Sequence, residues 1–244
     1  RTSMNDWHVE NKAEFENVGQ WKRAWYYPKN NETMHEAVQR ESKAARNSAG
    51  ILDASTLGKI DIQGTDASEF LNRVYTNAWS KLAIGKCRYG LMLNEDGMVY
   101  DDGVTTRLDV NHYIMTTTTG GAANVLGKLE DYLQIEWPEL DVYLSSVTDH
   151  YATASICGPN SKKILNKLIP NLDLSDESFP HMSFKNAKID NIKCRIMRIS
   201  FTGEHSYEIN IQANYGEDLW RKCMDAGEEF NSTPYGTETM HLLR

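Results

Sequence analysis

The chain has 244 residues, of which 40% are hydrophobic and 25% are charged, and its formal net charge is −8. This composition is ordinary for a soluble globular protein, and the negative charge disfavours nucleic acid or an anionic membrane as a partner. The sequence contains no run of about 18 apolar residues, so it predicts no transmembrane helix.

The N-terminus and the cysteines indicate a cytoplasmic protein. The opening residues, RTSMNDWHVE, are polar and lack the apolar region of a signal peptide. The four cysteines lie far apart without a CxxC spacing, so we expect reduced, buried thiols and no metal site. Because the chain starts with Arg rather than Met, we expect a fragment or a processed chain.

Aromatic side chains are concentrated in residues 1–30. We predict that this stretch is irregular and packs its rings onto the rest of the protein. A helix is predicted to begin at Thr33, where Glu36 completes a capping box, and to end at Gly50.

Strands and short helices are predicted in the next part of the chain. GKIDIQG alternates apolar and polar residues, as a strand does, and DASEFLNRVYT follows as a short helix. CRYGLML and MVYDDGVTTRL flank the turn NEDG, and this arrangement predicts a β-hairpin.

The stretch HYIMTTTT predicts a further strand, which Gly120-Gly121 ends, and a helix is expected over residues 122–133. The run TTTTGG at 116–121 has two readings. It is either a polar loop edge that presents hydroxyls to a ligand or a β-branched strand that ends at a glycine turn.

The second half of the chain repeats this mixture. The predicted strands are VYLSSV, ATASIC, KCRIMRISF and YEINIQ. Helices are predicted over residues 160–169 and from a cap at Asn214 with Glu217 to Gly227. Because strands follow each other through short turns more often than through helices, we predict an α+β fold with mainly antiparallel sheets.

Asp101 and Asp102 form an acidic doublet in the second strand of the predicted hairpin. Asp is a poor strand former, and successive residues of a strand face opposite sides. The doublet is either a solvated strand edge, or one of the two acids points inward, where a lone carboxylate needs a partner or a function. The residues alone leave both readings open.

Several stretches resemble the aminomethyltransferase family, which includes the glycine-cleavage T-protein. They are ILDASTLGKIDIQGTDASEFLNRVYTN, GKCRYGLMLNEDGMVYDDGV, CGPNSKKIL and SFTGEHSYEI, in the family's order and spacing. MTTTTGGAANVL, SVTDHYATASICGP and TPYGTETMHLLR resemble one branch of it, the C-terminal folate-binding region of heterotetrameric sarcosine oxidase alpha subunits.

The resemblance implies a fold and a domain division. We expect residues 1–50 to pack as an N-terminal segment on a folate-binding domain over residues 51–244. The chain stops at HLLR, so we expect the family's C-terminal barrel domain to be absent from it.

The resemblance also implies a function. Enzymes of the branch oxidise sarcosine to an iminium and transfer its methylene group to tetrahydrofolate, which gives 5,10-methylenetetrahydrofolate and glycine. This chain would bind tetrahydrofolate, while the flavin (FMN or FAD) and NAD would belong to the rest of the complex and its other subunits. The alternatives are a stand-alone folate-dependent aminomethyltransferase and a non-catalytic folate-binding or assembly module.

Residues of the predicted hairpin and the following strand receive roles from the resemblance. Asp101 is the candidate catalytic residue beside N5 and N10 of the folate, where its charge stabilises the cationic iminium. Tyr89 packs at the folate, and Asp102 has a structural role. Thr117 and Thr118 stand where the T-protein has an Asn.

The resemblance assigns folate contacts in the second half as well. Glu208 would accept hydrogen bonds from the pterin N–H groups, and Arg244 would lie near the glutamate or aminobenzoate end. Phe201 stands where the family has a tyrosine, so a contact through the hydroxyl is lost and only stacking of the ring is kept. Glu204 is expected to stabilise the turn.

Overall fold

The computed structural model describes residues 1–244, which divide into two compact units. Unit 1 consists of Arg1–Thr56, His150–His181 and Lys185–Arg244. Unit 2 consists of Leu57–Asp149 and Met182–Phe184. These units are drawn differently from the expected division at residue 50, which stays a prediction.

The helices are α1 (Asn5–Glu10), α2 (Met34–Asn47), α3 (Ala67–Val74), α4 (Ala122–Asp131), α5 (Ser161–Leu168), α6 (Gly216–Gly227) and α7 (Thr237–Leu243). The strands are β1 (Glu14–Val18), β2 (Trp21–Tyr26), β3 (Gly50–Asp53), β4 (Gly58–Gln63), β5 (Cys87–Leu93), β6 (Val99–Asp109), β7 (His112–Thr117), β8 (Tyr143–Ser146), β9 (Tyr151–Cys157), β10 (Ser183–Ile189), β11 (Ile192–Arg198), β12 (Ser206–Gln212) and β13 (Thr233–Pro234).

Mainly antiparallel sheets form the framework of both units. A six-stranded sheet of order β10-β11-β12-β9-β3-β13 lies in unit 1, except for Ser183 and Phe184 at the start of β10, and a five-stranded sheet of order β5-β6-β7-β4-β8 belongs to unit 2. β3 and β13 pair in parallel, whereas β9 pairs with β3 and β12 in antiparallel fashion. The predicted α+β class is confirmed.

Residues 1–30 are not irregular, and this prediction was wrong. The segment forms α1 and a hairpin of β1 and β2, joined by a two-residue turn at Gly19 with φ +60°. Such short hairpin turns require positive φ, which glycine adopts without strain. The expected aromatic packing is present, since the rings of Trp7 and Trp220 lie 5.4 Å apart.

The capping box at the start of α2 is confirmed. Thr33 accepts a hydrogen bond from the Glu36 amide, and the Glu36 carboxylate accepts one from the Thr33 amide. The helix ends at Asn47, and Gly50 instead begins β3. A Cβ at Gly50 would lie 2.7 Å from the Tyr235 ring, so close packing requires the glycine.

The cap predicted at Asn214 was also wrong. Residues 213–215 form a 3-10 turn, and α6 begins after Tyr215 without a side-chain cap. The helix predicted over residues 122–133 is α4, which continues into a π-helical turn over residues 132–136.

Each unit has its own hydrophobic core. The core of unit 1 covers one face of the six-stranded sheet, where Ile156, Tyr207 and Ile209 are completely buried. The core of unit 2 lies on the five-stranded sheet, with Ile62 and Tyr113 completely buried. None of the helices combines the length and apolar character required to span a lipid bilayer.

A buried polar chain connects three segments of unit 1. His8 Nε2 lies 3.1 Å from Asp53 Oδ2, and His8 Nδ1 lies 3.0 Å from the Tyr27 hydroxyl. His8 is only 1% exposed and Asp53 is 7% exposed. Burial raises the pKa of the Asp53 carboxyl, but hydrogen bonds from His8, Ser55 and Thr2 and the charge of His8 together bring it below its usual value.

We expect the substitution His8→Ala to lower the free energy of unfolding by about 3–5 kcal/mol, because it leaves Asp53 buried without its partner. Urea denaturation measures this loss. The matched control is His35→Ala on the exposed face of α2, which should change stability by no more than about 0.5 kcal/mol. Equal effects of the two substitutions would contradict a stabilising role for the buried pair.

Candidate functional site

The hairpin of β5 and β6 places Asp101 next to a bulge. Met92 pairs with Asp101, but Leu93 pairs with Val99, so Tyr100 is an extra residue on β6. A bulge bends its strand and changes the direction of the neighbouring side chains. Asp101 is only 5% exposed, so one acid of the doublet points inward.

Thr118 binds both oxygens of the Asp101 carboxylate. The Thr118 hydroxyl donates to Asp101 Oδ1 over 2.6 Å, and the Thr118 backbone amide donates to Oδ2 over 3.2 Å. Thr118 directly follows the last residue of β7. The end of this strand therefore supplies the donors that a buried carboxylate requires.

Gly121 closes this arrangement at the start of α4. Its amide donates to the Thr118 hydroxyl oxygen over 3.1 Å. A Cβ at this position would lie 2.7 Å from both Asp101 Oδ1 and Thr118 Oγ1. The φ of Gly121 is −85°, which any residue adopts, so the glycine is required for space and not for its conformation.

Asp102 points away from Asp101 and binds a different partner. The Tyr89 hydroxyl donates to Asp102 Oδ2 over 2.7 Å, and the Tyr89 side chain is 46% exposed. The two acids of the doublet therefore have separate environments, as the alternation of a strand predicts.

The electrostatics of Asp101 differ from those of an ordinary surface carboxyl. Burial raises the pKa of Asp101, and the nearby charge of Asp102 raises it further. The hydrogen bonds from Thr118 lower it, but the pKa remains above its usual value. A raised pKa makes this carboxylate a stronger proton acceptor than a surface Asp.

Thr117 is also buried, and its hydroxyl donates to the Thr118 carbonyl over 2.9 Å. The structure thus brings Asp101, Thr117 and Thr118 together in unit 2. No group of three or more His, Cys, Asp or Glu side chains is arranged to hold a metal ion.

The other predicted folate contacts lie in unit 1. The Arg244 guanidinium stands over the Phe201 ring at 5.2 Å from its centre, and this ring is 47% exposed. Glu208 is half-buried on β12, opposite Ser155 of β9. Two residues further along β12, the buried side-chain amide nitrogen of Asn210 has no hydrogen-bond partner. Contact of these residues with a folate stays a prediction.

The turn at residues 202–204 is fixed by Arg46 of α2. Its guanidinium pairs with Glu204 and donates to the carbonyls of Thr202 and Leu243, each over 2.9 Å. Glu204 therefore stabilises the turn through its ion pair with Arg46. The sequence did not indicate Arg46, because its partners lie more than 150 residues away.

Comparison with models of protein families shows to which family the chain belongs. The model described as GCVT N-terminal domain matches residues 4–244. The chain belongs to the GCVT family. The predicted resemblance is confirmed, and a match to the N-terminal domain agrees with the expectation that these 244 residues contain no C-terminal barrel.

The chain is similar to a sarcosine oxidase subunit and to an aminomethyltransferase. The sarcosine oxidase subunit alpha of Corynebacterium sp. (strain U-96) is 56% identical over 244 residues, which are 100% of this chain and 25% of that protein. The aminomethyltransferase of Thermoanaerobacter sp. (strain X514) is 33% identical over 210 residues, which are 86% of this chain and 55% of that protein. The chain thus spans only part of the length of either relative.

A solved structure of a GCVT relative has the same fold. The glycine cleavage system aminomethyltransferase T from Bartonella henselae superimposes with a TM-score of 0.83 at 23% identity. The match covers 99% of this chain and 61% of that protein.

We expect Gly121→Ala to destabilise the protein by about 1–3 kcal/mol, because the added methyl group overlaps Asp101 and Thr118. Gly127→Ala, further along α4, is the matched control, since a Cβ there meets nothing within 4 Å. Alanine in a helix interior should stabilise by about 0.5–1 kcal/mol. Thermal and urea unfolding measure the stability of both variants. A Gly121→Ala variant as stable as the wild type would contradict the predicted overlap with Asp101 and Thr118.

A second prediction follows from the raised pKa of Asp101. The folded state holds the Asp101 proton more tightly than the unfolded state, so the contribution of Asp101 to stability is lost as the pH rises through the folded pKa. Asn cannot titrate at this position. The free energy of unfolding of the wild type relative to Asp101→Asn should therefore increase as the pH falls from about 7 to about 4.5. Urea denaturation across this range tests the sign, and a decrease would contradict it.

Proposed function

We propose that this chain is the tetrahydrofolate-binding part of a sarcosine oxidase alpha subunit. In this proposal Asp101 assists the transfer of a methylene group from the sarcosine-derived iminium to tetrahydrofolate, with release of glycine. The observation that carries the proposal is the inward-facing carboxylate of Asp101, held at both oxygens, in a chain 56% identical to such a subunit.

The residues around Asp101 fit a cationic reacting group. The charge of Asp102, which raises the pKa of Asp101, has the same sign as the carboxylate, so this neighbour does not neutralise it. In a site of low dielectric constant, a fixed carboxylate stabilises a developing positive charge more strongly than it does in water. Bound tetrahydrofolate would supply the nitrogen nucleophiles for the methylene carbon.

Asp101 would have two tasks in this reaction. Its negative charge would stabilise the iminium and the positive charge that develops during transfer. Its Oδ2 would accept a proton during ring closure, and the raised pKa of Asp101 favours this transfer. Tyr89, whose hydroxyl is bound to Asp102, would present its exposed ring to the folate.

The remaining contacts are proposed from the resemblance. In unit 1, Glu208 would accept from the pterin, and the paired Phe201 and Arg244 would bind the aminobenzoate or glutamate part. The orphaned amide of Asn210 beside Glu208 is consistent with a polar ligand at β12. Oxidation of sarcosine, with its flavin and NAD, would take place in the rest of the complex, so the chain alone should not oxidise sarcosine.

A stand-alone aminomethyltransferase is the second candidate. The 33% identity to the Thermoanaerobacter aminomethyltransferase favours it, but the 56% identity to the sarcosine oxidase subunit favours the first proposal more strongly. A purely folate-binding module would have no need of a charge at the reacting nitrogen, so Asp101 discriminates between a binder and an enzyme.

The decisive experiment uses sarcosine oxidase assembled from all of its subunits, with Asp101→Asn in the alpha subunit. The substrate is sarcosine with a ¹³C-labelled methyl group. We expect methylene transfer to tetrahydrofolate to fall about 10²–10³-fold, because a preorganised charge is lost. Sarcosine consumption should remain unchanged, and the labelled carbon should appear as formaldehyde.

The matched control is Asp96→Asn, an exposed residue in the turn of the same hairpin. This variant should transfer methylene at the wild-type rate. Calorimetry with tetrahydrofolate on the same proteins separates binding from transfer. Full transfer by Asp101→Asn would refute the catalytic role, and absence of folate binding by the wild type would refute the whole proposal.

A further inference from the structure

We propose that Thr118 is a positioning residue for Asp101: its hydroxyl and its backbone amide fix both carboxylate oxygens and leave defined lone pairs for a ligand. This inference rests on the proposed function, since it concerns the same carboxylate. It differs from the reading of TTTTGG in which these hydroxyls are presented to a ligand, because the Thr118 hydroxyl donates to Asp101.

Two hydrogen bonds from Thr118 fix the orientation of the Asp101 carboxylate. One residue donates to both Oδ1 and Oδ2, over 2.6 and 3.2 Å, so the plane of the carboxylate cannot rotate freely. An ionised carboxylate has about four acceptor positions, and this residue occupies two of them. Because the carboxylate cannot rotate, its remaining acceptor positions point in fixed directions.

The Thr118 hydroxyl is itself held in one orientation. The Gly121 amide donates to Thr118 Oγ1 over 3.1 Å, which directs the hydroxyl hydrogen away from Gly121 and towards Asp101. The Val125 amide bonds the Gly121 carbonyl over 2.8 Å, so the first turn of α4 holds this donor in place. The glycine also leaves the space that the contact needs.

Other groups of unit 2 also act on the Asp101 carboxyl. Burial and the charge of Asp102 on the same strand both disfavour its ionised form. Tyr75 is a further titratable group coupled to Asp101, and its hydroxyl donates to Met115 Sδ over 3.8 Å. Thr118, together with the backbone amide of Asp102, supplies the hydrogen bonds that favour the ionised carboxylate.

The first test measures the proton on Asp101 directly. The Asp101 carboxyl carbon is followed by ¹³C NMR in the full chain as the pH is raised. In Thr118→Val the midpoint should move upward, and in Thr118→Ser, which keeps the hydroxyl, it should return to the wild-type value. Thr76→Val, at an exposed threonine of unit 2, should leave it unchanged.

An unchanged midpoint in Thr118→Val would overturn the inference, whatever the enzyme does. If the valine variant fails to fold, Thr118→Ala carries the same test. This measurement requires no activity, so it is independent of the proposed function.

The second test uses the assembled enzyme of the previous section. We expect Thr118→Val to lower kcat for methylene transfer about 10- to 100-fold, since a hydrogen bond to a charged group is lost, with little change in KM for tetrahydrofolate. The acid limb of the pH profile should move upward, and Thr118→Ser should restore both properties. A raised KM with unchanged kcat and pH profile would overturn the inference, because it would make Thr118 a direct folate contact.

The two tests separate the two proposals. A shifted Asp101 midpoint in Thr118→Val, together with full transfer activity in Asp101→Asn, would sustain the positioning of Asp101 and refute its catalytic role. An unshifted midpoint in Thr118→Val, together with loss of transfer in Asp101→Asn, would refute the positioning role of Thr118 and sustain the catalytic role of Asp101.

Discussion

A carboxylate that is removed from water must receive hydrogen bonds or a positive charge from the protein, and the surroundings of Asp101 are organised by this requirement. The nearby charge of Asp102 cannot help, since it has the same sign. Thr118 therefore binds both oxygens, and this contact depends in turn on a bulge in β6, the end of β7 and a residue without a side chain at the start of α4.

The protein contains two buried aspartates, and they illustrate different uses of the same side chain. Asp53 is paired with His8 and bound by Ser55, and its pKa lies below the usual value. Such a group stays charged and stabilises the fold. Asp101 lacks a comparable cationic partner, and its pKa lies above the usual value. Perturbation of this second kind is typical of functional sites, so the contrast supports the role proposed for Asp101.

Local sequence patterns predicted the antiparallel framework, the capping box of α2 and the opposite directions of the two acids, because these features depend on neighbouring residues. That one of the acids is buried was only one of two readings. The local patterns failed where distant partners decide. Gly50 looked like a helix stop, yet it begins a strand that pairs with β9 and β13, and the Tyr235 ring lies against it. The family resemblance supplied Asp101, whereas the bonds from Thr118 join residues 17 apart and required the structure.

Arg46 is the clearest example of such a distant dependence. A single planar group serves the Thr202 carbonyl, the Glu204 carboxylate and the Leu243 carbonyl at the same time. The ammonium of a lysine has no comparable fork and could not reproduce this geometry. Residues 46 and 204 are therefore expected to covary among relatives, since a change in either alone would remove the ion pair that joins α2 to the turn.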